Sequence, residues 1–216
     1  MKLKVVSKIL DANERIAQEN RRIFNDAGVF VVNLMSSPGA GKTSLLERTI
    51  KELKHRVKVG VIEGDITGTK DAVRIKSLGV PVIQINTGGA CHLDANMLNE
   101  VLKYIPLNKL DLLFIENVGN LVCPAEFNVG ENMKVMILSL PEGDDKPLKY
   151  PLMFQESSVL IINKIDLKPF LDVDMERIKK SARSLNSSIK IFEVSCKTGS
   201  GMGEWADWLY SQCKPP

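Results

Sequence analysis

The segment Ser36-Ser37-Pro38-Gly39-Ala40-Gly41-Lys42-Thr43 lies between a nearly unbroken apolar run, Val29 to Met35, and a helical pattern opening on Ser44-Leu45-Leu46-Glu47-Arg48. Strand, glycine loop and helix in that order make a cradle for phosphate. Gly39 and Gly41 let the backbone N–H groups of Gly39, Ala40 and Gly41 approach anionic oxygens, and the amino end of the helix at Thr43-Ser44 adds a favourable dipole. Lys42 has the reach for β and γ phosphates, and the Thr43 hydroxyl can ligate magnesium. The segment departs from the usual phosphate-binding pattern at Ser36, which stands where the first glycine is expected.

A loop of this kind requires a buried parallel strand on one side and a covering helix on the other, and the rest of the chain repeats the pattern. Short apolar runs recur at Val57 to Ile62, Val80 to Ile85, Leu112 to Ile115, Val135 to Leu140, Val159 to Ile162 and Ile189 to Val194. Most are almost wholly apolar, as strands covered on both faces must be. Helical patterns lie between many of them, at Thr43 to Leu53, Thr69 to Leu78, Leu93 to Tyr104, Asp174 to Leu185 and Gly203 to Cys213. The spacing predicts a three-layer α/β P-loop NTPase fold, with a mostly parallel sheet of about seven strands and helices on both faces. Its functional loops should gather at the carboxyl ends of the strands.

Ahead of the first strand, Val5, Val6, Ile9, Leu10, Ile16, Ala17, Ile23 and Phe24 follow helical spacing until Asn25-Asp26-Ala27-Gly28. This predicts an amphipathic helix over residues 1–28 packed on a nucleotide-binding domain over 29–216, with Pro215-Pro216 as a frayed end. The net charge of +3 comes from interspersed acids and bases, so no basic stripe suits nucleic-acid phosphates. No apolar run is long enough for a bilayer and Met1-Lys2-Leu3-Lys4 opens no signal sequence, so a cytoplasmic protein is expected. The four cysteines show no C-x-x-C pairing, which favours reduced thiols or metal ligands over disulfides.

Two further segments bear on the nucleotide. Asn163-Lys164-Ile165-Asp166 follows a core strand and matches the guanine-specificity pattern N-K-x-D. The Asp166 carboxylate can accept from the N1–H and amino group of guanine, whereas adenine offers no matching donors there. Asn163 would tie this loop to the phosphate loop, and the Lys164 stem would cover the base. Farther on, Ser195-Cys196-Lys197 is similar to the S-A-K base-contacting loop of GTPases, with Cys196 in place of alanine.

Asp65 ends the second strand and Glu116 the fourth, so with Lys42 they are the candidate catalytic groups. Either carboxylate can join Thr43 at magnesium; which of them orients the attacking water stays open. Beyond Glu116 the chain runs Asn117-Val118-Gly119-Asn120-Leu121-Val122-Cys123-Pro124. Gly119 is positioned to sense the terminal phosphate, and Cys123 rides on the same loop. Cys91-His92 precedes a helix pattern, where an amino-terminal dipole would favour a thiolate. With Cys123 they offer two sulfurs and a nitrogen, a donor set for nickel or zinc rather than magnesium. Three ligands leave a tetrahedral site incomplete, which raises the possibility of a metal at a two-fold dimer interface.

These segments, together with Glu63-Gly64-Asp65, Asn86-Thr87-Gly88, Cys91-His92-Leu93-Asp94-Ala95 and Glu142-Gly143-Asp144-Asp145-Lys146-Pro147-Leu148, resemble the HypB family of hydrogenase nickel-incorporation GTPases over nearly the whole chain. The resemblance implies GTP hydrolysis coupled to nickel delivery into the [NiFe] hydrogenase large subunit. It also implies GTP-promoted homodimerisation, an interfacial nickel or zinc site on Cys91, His92 and Cys123, the zinc protein HypA as partner and, in some bacteria, the prolyl isomerase SlyD. The amino-terminal cysteine motif and His-rich tract of some members do not occur in these residues, so a separate nickel store is not expected.

Two other readings compete. The urease accessory GTPases also deliver nickel, but are expected to carry Cys-Pro-His together, whereas Cys91-His92 and Cys123-Pro124 are separate here. A nucleotide-switched scaffold with a structural interfacial zinc would need the same residues and transfer nothing.

Overall fold

The computed structural model describes residues 2–213, with side chains described from Leu10 onward. Pro215-Pro216 and the side chains of Val5, Val6 and Ile9 therefore lie outside the described residues. Helix α1 (Lys2–Ala27) leads into β1 (Phe30–Ser36), α2 (Lys42–Leu53), β2 (Val59–Asp65), α3 (Lys70–Lys76), β3 (Val82–Asn86), α4 (Ala95–Leu102) and β4 (Leu112–Glu116). The second half continues through α5 (Cys123–Glu126), β5 (Met133–Ser139), α6 (Lys146–Lys149), α7 (Pro151–Glu156), β6 (Val159–Asn163), α8 (Met175–Leu185), β7 (Lys190–Glu193) and α9 (Met202–Gln212). All seven expected strands form, each within a few residues of its apolar run. The short helices α5, α6 and α7 have no periodic signal of their own; each carries a proline in its first turn, where the missing N–H costs nothing.

The strands make one sheet in the order β3-β2-β4-β1-β5-β6-β7, and every neighbouring pair is parallel. Alternate side chains feed two layers. Val32 and Leu34 of β1 join Leu45, Leu46 and Ile50 of α2 and Trp205 and Leu209 of α9. On the other face, Val31, Ile62, Leu113 and Ile115 pack with Phe24 of α1 and Leu98 of α4, while Met35, Met136, Leu138 and Ile162 pack with Phe154 of α7 and Ile178 of α8. Burial on both faces is what the continuous apolar runs require.

Helix α1 brings polar groups as well as apolar ones to its inner face. Asn20, fully buried, donates to the carbonyls of Ala95 (2.8 Å) and Val129 (3.1 Å) and accepts from Asn99 (2.8 Å). Asn13, two turns earlier, accepts from the Ala95 amide at 2.9 Å and donates to the Asn128 carbonyl at 2.7 Å. The helix thus caps the start of α4 with side-chain amides, satisfying backbone groups that would otherwise be buried without partners. An apolar-periodicity reading passes over both residues.

The strand order determines which loops meet. β1 is flanked by β4 and β5, so the loop after Ser36 stands between Glu116 and Ser139, with Asn163 one strand farther. β4 in turn separates β1 from β2 and pairs Glu116 directly with Glu63.

Candidate nucleotide and metal site

The phosphate loop is folded tightly enough to need its glycines. Gly39 and Gly41 have φ of 75° and 101°, and a Cβ on Gly41 would lie 2.6 Å from Asn163 Nδ2. That Asn163 amide donates to the Ala40 carbonyl at 2.9 Å, while its oxygen accepts from the amides of Lys164 (2.8 Å) and Cys196 (3.2 Å). Asn163 is thus a three-way rivet between the phosphate loop and the two base-side loops. Lys164, the single described residue other than glycine with positive φ (63°), turns its ammonium onto the Gly39 carbonyl at 2.8 Å. Asp166 accepts from Ser195 Oγ at 2.5 Å, and Arg48 clamps the far side through the carbonyls of Cys196 (3.0 Å) and Lys197 (3.2 Å). Asn163, Lys164, Asp166, Cys196 and Lys197, together with Gly41, Ser44 and Leu167, line a cavity of about 390 Å³. The Cys196 thiol, pushed up to about 11 by burial, stays protonated and packs there as a small apolar side chain.

At the phosphate end, Lys42 donates to Ser36 Oγ at 3.1 Å and Thr43 donates to Glu116 Oε1 at 2.7 Å. The serine at the first glycine position therefore has a use: its hydroxyl holds the lysine ammonium. Ser37 donates to Glu142, whose other oxygen accepts from the Ser139 amide (2.7 Å) and hydroxyl (2.9 Å). Glu142 is a tie that sequence spacing did not single out, 105 residues away from its partner. Gly119 passes so close to the loop that a Cβ there would come 3.0 Å from Pro38 Cα.

A second cavity, of about 240 Å³, is lined by Pro38, Lys42, Glu63, Asp65, Asp71, Glu116 and Gly119 among others. Asp65 is half-buried at its rim. Glu116 is almost wholly buried, and one of its oxygens, Oε2, has no hydrogen-bond partner. Burial pushes its carboxyl up to about 7 against the opposing pull of Lys42 and Thr43. Sequence reading missed Glu63. It is equally buried, it also has an unpartnered oxygen, and burial followed by repulsion from Glu116, Asp71 and Asp65 pushes it up to about 7. The signal was available, an acid inside an otherwise apolar strand two residues before Asp65, but its significance lies in the register. A hard cation with oxygen ligands fits such a donor set.

Cys91, His92 and Cys123 come together although β2 separates β3 and β4 in the sheet. Their ligand atoms all lie within 4.8 Å of one another, with Cys91 Sγ 3.2 Å from Cys123 Sγ and 3.8 Å from His92 Nδ1. The four cysteines are free thiols. His92 packs against Phe127 in a tilted contact, ring centroids 4.0 Å apart, and its partial burial lowers its pKa, favouring the neutral imidazole that metals bind. The helix-dipole expectation for Cys91 fails. Asp94 accepts from the Met97 amide at 2.8 Å and starts α4 at Ala95, leaving Cys91 outside the helix. Cys123 instead opens α5, yet its hydrogen bond with Cys91 raises its pKa against any pull from that helix end.

The acidic cavity and the thiols are linked by asparagines. Asn117 follows Glu116 and accepts from the amides of Leu93 and Val118, both at 2.9 Å. Asn120 donates to the Cys91 carbonyl at 3.3 Å and accepts from the Val122 amide at 2.9 Å. A further cavity, about 550 Å³, opens elsewhere, beside Arg21 and Lys134 at the amino ends of β5 and β6.

Comparison with known proteins gives the family. Residues 30–193 match the CobW/HypB/UreG nucleotide-binding domain. The hydrogenase maturation factor HypB of Escherichia coli K12 is 49% identical over 210 residues, covering 97% of this chain and 72% of that protein. The chain belongs to the HypB family of hydrogenase maturation factors. The HypB structure from Archaeoglobus fulgidus superposes with a TM-score of 0.89 at 40% identity, covering 94% of this chain and all of that one. HypB from Helicobacter pylori, solved in complex with nickel, gives 0.88 at 38% identity, covering 94% and 95%. HypB membership makes the glycine loop part of a nucleotide-binding domain. Among the described residues no helix is long and apolar enough to cross a membrane.

Proposed function

We propose that this chain is a GTP-hydrolysing metallochaperone that carries nickel, or zinc in its place, on Cys91, His92 and Cys123 and assists nickel insertion into [NiFe] hydrogenase. One observation carries the reading: the eight residues from Glu116 to Cys123 join the phosphate cavity to the thiol cluster, and Asn117 and Asn120 bond that loop to Leu93 and Cys91, on either side of His92. A change at the terminal phosphate is thereby delivered to a metal ligand. The nickel complex of the H. pylori relative supports nickel as cargo.

In this reading the amides of Gly39, Ala40, Gly41, Lys42, Thr43 and Ser44 bind the phosphates and Lys42 leaves Ser36 for the β and γ oxygens. Thr43 and Glu116, with Asp65, hold Mg²⁺, which supplies charge neutralisation at the phosphates when bound; the unpartnered Glu116 Oε2 fits that role. The Gly119 amide reports the γ phosphate, and Asp65 or Glu116 orients the attacking water. Asp166 reads guanine while Asn163, Lys164, Ser195, Cys196 and Lys197 shape the pocket. GTP favours a homodimer that supplies further metal ligands, α1 stays packed on the GTPase domain, and HypA, the hydrogenase large subunit and, in some bacteria, SlyD act as partners in the cytoplasm.

The test is anaerobic nickel and zinc titration with GDP and with a slowly hydrolysed GTP analogue, read beside the oligomeric state. Affinity that differs between the two nucleotide states is expected for a delivery protein; equal affinities would favour a structural zinc scaffold.

A further inference from the structure

We propose that Glu63 and Glu116 together form a seat for one hard divalent cation of the Mg²⁺ or Mn²⁺ type that fills before any nucleotide binds. The two residues face each other in direct register across β2 and β4, and both are at least nine-tenths buried. Each has one oxygen without a hydrogen-bond partner, and both line the same cavity. Two adjacent buried carboxylates cannot both remain ionised and uncompensated, since each has lost its hydration on entering the interior.

The neighbouring cations compensate Glu116 only in part, and none forms an ion pair with Glu63 or Glu116 among the described residues. Lys42 donates to Ser36, and its own burial lowers its pKa. Arg74 is engaged by Glu47 at 2.7 Å and Asp71 at 3.0 Å. Thr43 covers Glu116 Oε1 alone. Asp65 and Asp71 add further negative charge along the cavity wall, so an incoming triphosphate would meet four carboxylates. A cation with two carboxylate ligands, completed by water from the open side, removes that repulsion and suits the preference of small hard ions for few carboxylates and several waters. Glu63 is thus assigned a cation-ligating role beyond the Thr43, Asp65 and Glu116 set proposed for the nucleotide-bound magnesium, with Glu116 common to both. Only this last statement rests on the GTP reading.

The experiment is Mn²⁺ titration followed by electron paramagnetic resonance on nucleotide-free protein, in a Cys91→Ala/Cys123→Ala background so that the thiols do not take up the probe. One Mn²⁺ per chain is expected, with affinity reduced more than about tenfold in Glu63→Gln and in Glu116→Gln. Glu63→Asp, which keeps the charge and shortens the arm, should bind more tightly than Glu63→Gln and serves if the latter fails to fold. No uptake without nucleotide, or unchanged affinity in the Glu63 variants, overturns the proposal. Guanine selectivity of the wild-type chain, read by displacement of labelled GDP, tests the GTP reading separately.

Discussion

The base cavity and the acidic cavity lie on either side of the same glycine loop, yet they are finished to different degrees. Around the base, Asn163 spends both ends of its amide on three backbone groups, Asp166 has a hydroxyl donor, and Arg48 holds two carbonyls. On the acidic side, Glu63 and Glu116 each keep a buried oxygen without a partner. The first region is organised by the protein alone, which suits a recognition pocket whose shape should not change. The second is completed only by something that arrives, which suits a region whose structure must depend on what is bound.

Asp166→Asn should break the contrast from the base side and give the largest effect. The preference for GTP over ATP falls by up to about 10⁴-fold, because the amide no longer offers two acceptors to guanine, and competition of each nucleotide against labelled GDP measures it. From the acidic side, Glu116→Gln should slow phosphate release in single turnover by about 10²–10³-fold while leaving GDP affinity much less affected. Equal losses in both would mean that the two cavities are not separable. Cys123→Ala should weaken nickel or zinc binding by about 10–100-fold without changing guanine selectivity, as read by metal competition with a chromophoric chelator.

The smallest effect is on stability. Glu63 and Glu116 titrate near 7 in the folded chain against an ordinary value of 4.5, so between these pH values the folded state binds more protons than the unfolded one. Nucleotide- and metal-free stability should therefore fall as pH rises through that window and level off above about 7. Glu63→Gln removes its share, stabilising the chain by about 2 kcal/mol at pH 8 and by little near pH 4.5. Urea unfolding at the two pH values checks it; a variant less stable than wild type at pH 8 would mean that the carboxylate is paired.

Much of this molecule was legible before any coordinates. Strands buried on both faces must be apolar throughout, so the runs at Val29 to Met35 and Val159 to Ile162 declared themselves, and the glycines, Lys42 and Asp166 could be named as candidates from what phosphate and guanine would demand. Cys91, His92 and Cys123 were nameable from donor chemistry, and the fold brings their ligand atoms within 4.8 Å. The failures share a cause. The start of α4 was misplaced because the Asp94 cap outweighs the apolar Leu93 in starting the helix, and Asn13 and Asn20 were overlooked because periodicity counts apolar residues only.

The sequence by itself determined the element order, the phosphate loop and the identities of the reactive groups, since these depend on local spacing and side-chain chemistry. Tertiary structure alone decided that Glu63 lies opposite Glu116, that Glu142 holds Ser37, and that asparagines tie the Glu116 loop to Cys91 and Leu93. Those relations depend on strand order and register, which arise from packing of the whole sheet and leave no trace at any one position in the chain.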